Sequence, residues 1–421
     1  MAANIDKSKR DFLAMGCFGC LLAGSQCGDA LAAAGAGEKR GLFSGKVLNP
    51  CFDGLPARLR DHAFTQRAFE GLRAEKVWDV HAHLLGNGDS GSGCKISPKL
   101  ESLLYPLQFL QKKFFLNGAC VDEKRGQVDV DYVARLQRLM ADFPVGYKLM
   151  LLAFDRAHAV DGALLAEDSA FYVPNQYCAK VVGETTTRFA YAASIHPYRE
   201  DAVDALNTAV LSGAKAIKWL PSAMGIDPAN PRCDAFYQAA VKHNIPIISH
   251  AGQERAVKGV HAQQFGNPLR LQRALDRGVK VIVAHCASMG EDADESGTMV
   301  ESFSLFEKMM AIKSHEGQLF GDVSAITQTN RAPYLARVLG HADWQTRLLN
   351  GSDYPLPGVV PLFNIGKLVG NGWLRADVAV HLTAVREYNP LLFDFLLKRH
   401  LRVNGAKFEA PVFETARIFG G

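Results

Sequence analysis

The amino-acid sequence predicts an α/β fold: a TIM-like (β/α)8 barrel with a helical insertion after strand 1. Three observations carry this prediction. Short apolar segments alternate with amphipathic segments of helical length after residue 42, a pattern typical of βαβ units. These apolar segments number eight, and their nearly continuous apolar character suits parallel strands buried on both faces. No linker or low-complexity segment follows residue 45, which favours one barrel over a doubly wound sheet.

The composition excludes several classes of protein and of binding partner. The chain has 421 residues, of which 48% are hydrophobic and 21% charged, so disordered, collagen-like and multi-span membrane proteins are excluded. A net charge of +4 comes from 47 basic and 43 acidic residues, without a long run of Lys or Arg. Nucleic acid is therefore not an expected partner. The expected partner is a small-molecule substrate. The oligomeric state stays open, and a homo-oligomer is one possibility.

Residues 1–36 are predicted to be an export signal that precedes the fold. They begin with a basic, polar stretch, continue with a mildly apolar one and end near the small-residue run ALAAAGA. The apolar part is too short and too weakly apolar for stable membrane insertion. Lys9 and Arg10 resemble a twin-arginine signal with Lys in place of the first Arg. We therefore expect a periplasmic protein; the alternative is a cytoplasmic one with a disordered leader.

Residues 37–421 are predicted to form a single barrel domain. The eight expected strands lie at 76–84, 147–154, 189–197, 214–221, 245–252, 280–287, 319–325 and 348–355, and helices are expected at 200–211, 232–243, 267–277, 299–315 and 331–339. The segments AVREYNPLLFDFLLKRHLR and PVFETARIFG predict terminal helices that close the outer ring.

The stretch at 87–144 is too long for one βα crossover and is predicted to be a cap-like insertion, with helices near 99–114 and 130–142. Its Gly-rich start, NGDSGSGCK, lacks the Lys-Ser/Thr end of a phosphate-binding loop. It therefore favours a flexible lid loop over a nucleotide site.

Nine cysteines are scattered along the chain, three of them within the predicted signal. In an oxidising compartment the other six could pair, but buried free thiols are an equal alternative in a chain of this size. The sequence assigns no disulfide.

Ionisable residues close several of the apolar strands. They are His81 and His83 in the first, Lys218 in the fourth, His250 in the fifth, His285 in the sixth and Asp353 in the eighth. Reactive groups of a barrel of this kind come from the C-terminal strand ends. Buried there, each group would cost several kcal/mol unless paired or bound to a cation, so a shared metal is the simplest explanation. His81 and His83 are two residues apart on a strand, so both imidazoles can enter one coordination sphere.

With these motifs the sequence resembles the amidohydrolase superfamily, in its amidohydrolase-related (amidohydrolase 2) branch. The matching segments are VWDVHAHLLG, GAKAIKWLPSAMGIDPANP, IPIISHAG, VIVAHCAS, NGSDYP and ETARIFG, in that order, over residues 76–421. The sequence departs from many relatives in the insertion after the first strand and in Trp219, where those relatives have Leu followed by His.

The resemblance implies a divalent metal, most often zinc, one or two ions, held by His81, His83, His250 and Asp353. It implies catalytic roles for Asp353 as base and for His285 as an orienting and proton-handling group. Lys218 has two alternatives, a carbamate that bridges two metals or a cation that binds a substrate carboxylate.

Side chains in the βα loops are further candidates for substrate contact. They are His196, Gln253, Glu254, Arg255, His261, Asn330 and Arg331. For the non-histidine members, a solvated loop is the better expectation.

The leading hypothesis is a metal-dependent hydrolase that attacks an ester, lactone or amide carbonyl. The alternative is a metal-dependent decarboxylase of an aromatic or enol carboxylic acid, with Lys218 or Arg255 at the carboxylate. A third, less favoured hypothesis is an exported binding protein without catalysis.

Overall fold

The computed structural model describes residues 45–185 and 188–420; the predicted export signal lies outside them. Eight parallel strands form one sheet in which each strand pairs with the next along the chain. All eight predicted strands are confirmed. They are β1 (Trp78–His83), β2 (Lys148–Leu152), β3 (Phe189–Ala193), β4 (Ala216–Trp219), β5 (Ile247–His250), β6 (Val281–Ala284), β7 (Leu319–Asp322) and β8 (Leu348–Leu349).

The sheet closes where the segment after β8 meets β1. The amide of Val80 donates to the carbonyl of Asn350 at 2.9 Å, and the amide of Asp353 donates to the carbonyl of His81 at 2.7 Å. Ala82 and Tyr354 add a parallel bridge. The predicted (β/α)8 barrel is therefore confirmed, and its closure brings the two ends of the strand series side by side.

Alternate residues of the strands fill the barrel with a buried apolar core. Ala216, Ile248 and Phe320 belong to this core. Side chains two residues further along a strand point the same way. In β4, β5 and β7 those next side chains are the polar Lys218, His250 and Asp322, so the interior changes from apolar to polar towards the C-terminal ends of the strands.

Strand β1 contains one extra residue. Asp79 pairs with Leu149, whereas Ala82 pairs with Leu151, so three steps along β1 match two along β2. A β-bulge of this kind re-aims the side chains that follow it. Here it lies between Asp79 and Ala82, so it includes His81 and precedes His83.

The helices surround the barrel. In the described chain they are α1 (Ala57–Arg60), α2 (Ala63–Phe69), α3 (Pro106–Ala119), α4 (Val128–Met140), α5 (Asn175–Thr185), α6 (Ala202–Leu211), α7 (Pro221–Met224), α8 (Asp234–Lys242), α9 (Gln272–Asp276), α10 (Ser302–Met310), α11 (Leu335–Gly340), α12 (Ile365–Gly370), α13 (Ala376–Tyr388), α14 (Pro390–His400) and α15 (Ala410–Phe413). Every predicted helical segment overlaps at least one of them. None of the helices in these residues is long and apolar enough to cross a membrane.

Helix α3 lies between β1 and β2 and begins seven residues later than the sequence predicts, because Pro106 occupies its first turn, where proline is well tolerated. The helix packs closely on the loop after β8. A Cβ added to Gly118 would lie 2.9 Å from the carbonyl oxygen of Pro355. Gln111 donates to the carbonyl of Ala256 in the loop after β5 at 2.6 Å. The segment therefore contacts the same loops that surround the C-terminal end of the barrel.

A disulfide joins Cys51 to Cys120, at the end of α3, across 69 residues of sequence. Four other cysteines, Cys94, Cys178, Cys233 and Cys286, are free and buried. The sequence left open whether the cysteines pair or remain buried free thiols. Two of them pair and four are buried free thiols.

Candidate metal centre

His81 and His83 of β1 and Asp353, which follows β8, come together at the C-terminal end of the barrel. Oδ1 of Asp353 lies 3.2 Å from Nε2 of His83 and 3.5 Å from Nε2 of His81. His81 is fully buried, and Asp353 is 5% exposed. One ligand atom from each of the three residues lies within 4.8 Å of the others. This compact set of nitrogen and oxygen donors is suited to a divalent cation.

Asp322 at the end of β7 is a member of the centre that the sequence analysis missed. Its Oδ2 lies 2.8 Å from Nδ1 of His81, and its Oδ1 accepts the amide of His285 at 2.9 Å. Ser324 also donates its hydroxyl to this carboxylate. The residue could have been found by the same criterion as the others, since it is an ionisable group that ends an apolar strand.

Asp322 fixes which nitrogen of His81 faces the centre. Burial alone would raise the pKa of Asp322, but the hydrogen bonds and charges of His81, His285 and Ser324 hold it below its ordinary value. The carboxylate therefore accepts the Nδ1 proton of His81 and leaves Nε2 with a free lone pair. A carboxylate that orients a ligating histidine in this way is a common feature of metal sites.

His285 is held by a left-handed turn directly after β6. His285, Cys286 and Ala287 have φ values of 56°, 51° and 49°, which are unfavourable for residues with a side chain. The bond from the His285 amide to Asp322 holds this turn. It places the His285 ring 5.0 Å from that of His81, with Nε2 3.9 Å from Oδ2 of Asp353.

The hydrogen bonding of the two His250 ring nitrogens indicates whether the residues could hold a metal. Its ring is 4% exposed, and Nε2 is a buried atom without a hydrogen-bond partner in the described part of the chain. Such a group costs free energy unless something binds it. Its other nitrogen, Nδ1, lies 3.3 Å from Oε2 of Glu254, so the lone pair is on Nε2. A divalent cation is the partner that this donor set fits.

Lys218 reaches the same centre from β4. Its side chain is buried, and Nζ lies 3.2 Å from Nε2 of His81. Burial lowers the pKa of Lys218, which favours the uncharged amine. His250 is linked to the others through His285, with ring centres 5.2 Å apart, but it belongs to neither of the compact ligand groups formed by the described residues.

Burial favours the uncharged form of three imidazoles, those of His81, His250 and His285. It lowers the pKa of His81 and that of His250. Burial and then Arg331 lower the pKa of His285 to about 3. Burial opposes the ionisation of Asp353, yet the surrounding histidines, His285 first, bring its pKa below the ordinary value. Neutral imidazoles beside an ionised carboxylate are the protonation states that metal ligation requires.

Two loop residues expected to be solvated are buried at the centre. Glu254 is 7% exposed, and its Oε1 accepts the amides of Ala256 and Val257 at 2.5 and 2.8 Å. Arg331 is 5% exposed. The expectation of a solvated loop was wrong for both, because the side chains turn inward from their loops to contact groups that follow β5 and β6.

Arg255, named as a candidate for binding a substrate carboxylate, is exposed and donates both Nε and Nη2 to Oε1 of Gln253. Asn330 is also exposed. His196 is fully buried, and both of its ring nitrogens are occupied by backbone groups of Met224 and Tyr198. Arg255 and Asn330 are therefore exposed loop residues, and the ring of His196 is held by backbone groups.

His261, the other loop histidine, lines a cavity of about 280 Å³ next to the barrel mouth. Leu100, Gln108 and Gln111 of the segment between β1 and β2 form another wall of this cavity. The predicted insertion thus contributes to a concave surface together with the loop after β5.

A family model described as amidohydrolase matches residues 78–360, well over half of the chain. The chain belongs to the amidohydrolase family. This family is enzymatic, and the match confirms the resemblance of the strand-end motifs. It covers β1 to β8 and every residue of the centre described above.

Solved structures also resemble this amidohydrolase. A TIM-barrel protein from Bordetella bronchiseptica is 13% identical over 68% of this chain and 89% of its own, with a TM-score of 0.44. A probable 2-pyrone-4,6-dicarboxylic acid hydrolase from Acinetobacter baumannii is 12% identical over 74% and 92%, with a TM-score of 0.43. A 5-carboxyvanillate decarboxylase from Sphingomonas paucimobilis is 12% identical over 74% and 97%, with a TM-score of 0.40. No curated protein sequence matches the chain.

Proposed function

We propose that this amidohydrolase is a metal-dependent hydrolase that activates water to attack the carbonyl of an ester, lactone or amide. The observation that carries the proposal is the position of Asp353, whose carboxylate lies between His83 and His285 at 3.2 and 3.9 Å. A carboxylate in this position could bind the cation through one oxygen and accept a proton on the other. Family membership supports an enzyme that acts on a small molecule.

The residues that would hold the cation are His81, His83, His250 and Asp353, with zinc as the expected metal. Three imidazoles and one carboxylate suit zinc in catalytic sites. When bound, the cation supplies Lewis acidity, which polarises a carbonyl oxygen and lowers the pKa of water. Asp322 supports the set by accepting the Nδ1 proton of His81, and Oε2 of Glu254 lies 3.3 Å from Nδ1 of His250, where it is proposed to do the same.

Asp353 is proposed as the base that takes the proton from water and passes it to the leaving group. His285 is proposed to orient the reacting group, because Nδ1 contacts Ser324 Oγ at 2.8 Å and Nε2 faces Asp353. Its pKa of about 3 means that it works as an uncharged hydrogen-bonding group. It can take up a proton only transiently.

Lys218 is proposed to act as an uncharged amine in the resting site. The amine is also the form that reacts with carbon dioxide to give a carbamate, so a bridge between two ions is the second role open to it. Its closeness to His81 supports either role. Mass spectrometry of the intact protein, prepared with and without bicarbonate, distinguishes them, because a carbamate adds the mass of one carbon dioxide.

The second candidate function is a metal-dependent decarboxylase. It is supported by Arg331, a buried guanidinium that could bind the carboxylate of an aromatic or enol acid. The two functions share every proposed ligand and differ in the bond that breaks.

A substrate panel tests the proposal. Purified protein loaded with zinc is offered lactones, esters, amides and aromatic acids, and both acid release and carbon dioxide release are measured. We expect turnover of a lactone, ester or amide without carbon dioxide. Carbon dioxide release from an aromatic acid would favour the decarboxylase, and binding without turnover would favour the third hypothesis.

We further propose that residues 1–36 direct export to the periplasm by a twin-arginine-like route. The layout of the segment supports this, and so does the disulfide between Cys51 and Cys120, since such bonds persist in oxidising compartments. Fractionation of cells that express the full chain tests it. Mature protein in the periplasm, lost in a Lys9→Gln/Arg10→Gln variant, is the expected result.

A further inference from the structure

Arg331 is a buried cation with no carboxylate at ion-pair distance among the described residues. It lies in the loop after β7. Its guanidinium makes one side-chain hydrogen bond among the described residues, from Nη1 to Oγ of Ser288 at 3.3 Å. Ser288 is a neutral residue three positions after His285. A buried guanidinium normally has a carboxylate or several carbonyl groups around it.

The carboxylates near Arg331 already accept hydrogen bonds from other groups or contact them. Asp322 accepts from His81, Ser324 and the amide of His285. Glu254 accepts from two loop amides and lies against His250. Asp353 contacts the histidines of the metal set.

The charge of Arg331 is nevertheless located at the centre. It lowers the pKa of both His250 and His285, in each case in addition to burial. Burial lowers the pKa of Arg331 itself, and Asp353 and Glu254 act in the opposite direction. The geometry agrees: Nη1 of Arg331 donates to Oγ of Ser288, and the amide of Ser288 donates to the carbonyl of His285 at 3.0 Å, so the guanidinium lies beside the turn that holds His285.

Arg331 is 5% exposed, so its side chain is not completely enclosed. No nitrogen of Arg331 is among the fully occluded side-chain atoms that lack a hydrogen-bond partner in the described residues. The guanidinium therefore has N–H groups left for an incoming partner. A planar, fork-shaped donor in this situation suits a carboxylate, which it can bind through two parallel hydrogen bonds.

We propose that Arg331 binds a carboxylate group of the substrate and so determines specificity for carboxylate-bearing substrates. The inference rests on the proposed function, since it places this carboxylate beside the metal set. Arg331 and Ser288 hold the anionic end of the substrate, while the reacting carbonyl or carboxyl faces Asp353 and His285. The role falls to Arg331 instead of Arg255, because Arg255 is exposed and paired with Gln253.

Calorimetric titration of the zinc-loaded protein with phthalate, an aromatic dicarboxylate, tests the proposal without turnover. Phthalide, a neutral lactone of the same ring size, is the matched ligand. We expect Arg331→Ala to weaken phthalate binding at least tenfold and Arg331→Lys to weaken it less, while phthalide binding changes by less than threefold in both. Arg255→Ala removes the same charge from a neighbouring loop and should bind phthalate as the wild type does.

Three results would overturn the proposal: no phthalate binding by the wild type, equal phthalate affinity in the wild type and Arg331→Ala, or a loss in Arg255→Ala instead. Should Arg331→Ala not fold, as judged by circular dichroism, Arg331→Met keeps the stem of the side chain and is titrated in its place. Because binding is measured directly, failure of this subsite and failure of hydrolysis are separate outcomes. Hydrolysis of neutral lactones without phthalate binding would retain the hydrolase and reject the role of Arg331.

Discussion

Glu254 and His250 form a contact that links a loop to the proposed metal set. Oε2 of Glu254 lies 3.3 Å from Nδ1 of His250, and Oε1 of the same carboxylate accepts two amides of the following loop. Nε2 of His250 is a buried atom without a hydrogen-bond partner in the described residues. Glu254 therefore favours a proton on Nδ1 of His250, a proposed ligand, and holds the loop after β5.

The first prediction concerns this pair. Glu254→Ala should weaken zinc binding about 10- to 100-fold, the usual effect of removing a group that supports a metal ligand. Glu254→Gln should lose less, because its amide oxygen can still accept the Nδ1 proton. Competition with a chromophoric chelator measures both affinities. Gln253→Ala, one position earlier and half-exposed, is the control, and equal affinities in all four proteins would contradict the prediction.

The second prediction concerns metal content. Elemental analysis of the purified protein should find one or two divalent ions per chain, and His81→Ala combined with His83→Ala should lower this number. A cation that binds the folded state stabilises it by mass action, so chelation should also lower the melting temperature. Metal-free protein with an unchanged melting temperature after zinc addition would argue against the ligand assignment.

The third prediction concerns Asp353. Asp353→Asn should preserve the fold, because the amide can still contact His83, but should lower kcat about 10²- to 10⁴-fold through loss of the base. Since Asp353 is also a proposed ligand, zinc content is measured in the same samples. A variant that retains both zinc and wild-type kcat would remove the proposed role in proton transfer.

The fourth prediction concerns His196 and acid stability. Burial, and then the nearby His158, lower the pKa of His196 to about 3, against about 6.5 for an unperturbed histidine. The neutral ring donates from Nε2 to Met224 and accepts the amide of Tyr198 at Nδ1, so a proton on Nδ1 removes an acceptor. The unfolded chain takes up this proton more readily than the folded one. The stability that the neutral ring provides is therefore complete above pH 6.5 and is lost as the pH falls towards 3.

Chemical denaturation of wild type and His196→Gln between pH 7.5 and 4 measures this effect. The variant should be less stable at pH 7.5, and its free energy of unfolding should depend less steeply on pH, by up to about 1.4 kcal/mol per unit. The two curves should therefore converge towards low pH. Parallel curves would show that His196 does not take part in the acid dependence.

The fifth prediction concerns the disulfide. Cys51→Ser combined with Cys120→Ser should lower the free energy of unfolding by about 2–4 kcal/mol, because the bond closes a long loop and restricts the unfolded chain. Treatment of the wild type with a reductant should have a similar effect on its melting temperature. No change in either experiment would mean that the bond contributes nothing measurable to stability.

Local patterns in the sequence were sufficient to place the strands and the groups at their ends. Apolar segments of strand length, separated by helical periodicity, predict β1 to β8. Parallel strands in a barrel bring their C-terminal ends to one face, so His81, Lys218 and His250 could be grouped before any contact was known. Asp322 at the end of β7 satisfies the same criterion, but it was not among the predicted site residues.

Only the tertiary structure decided which loop residues turn inward. Arg255 and Arg331 are both arginines in loops after strands, yet one is exposed and the other buried at the centre. The difference depends on contacts between residues far apart in sequence, such as that of Arg331 with Ser288, which no local pattern specifies. The disulfide partner of Cys51 and the bulge in β1 depend on long-range geometry for the same reason. The sequence by itself determined the barrel and the types of ionisable residue at the C-terminal ends of its strands. The packing of the tertiary structure determined which of these side chains contact one another.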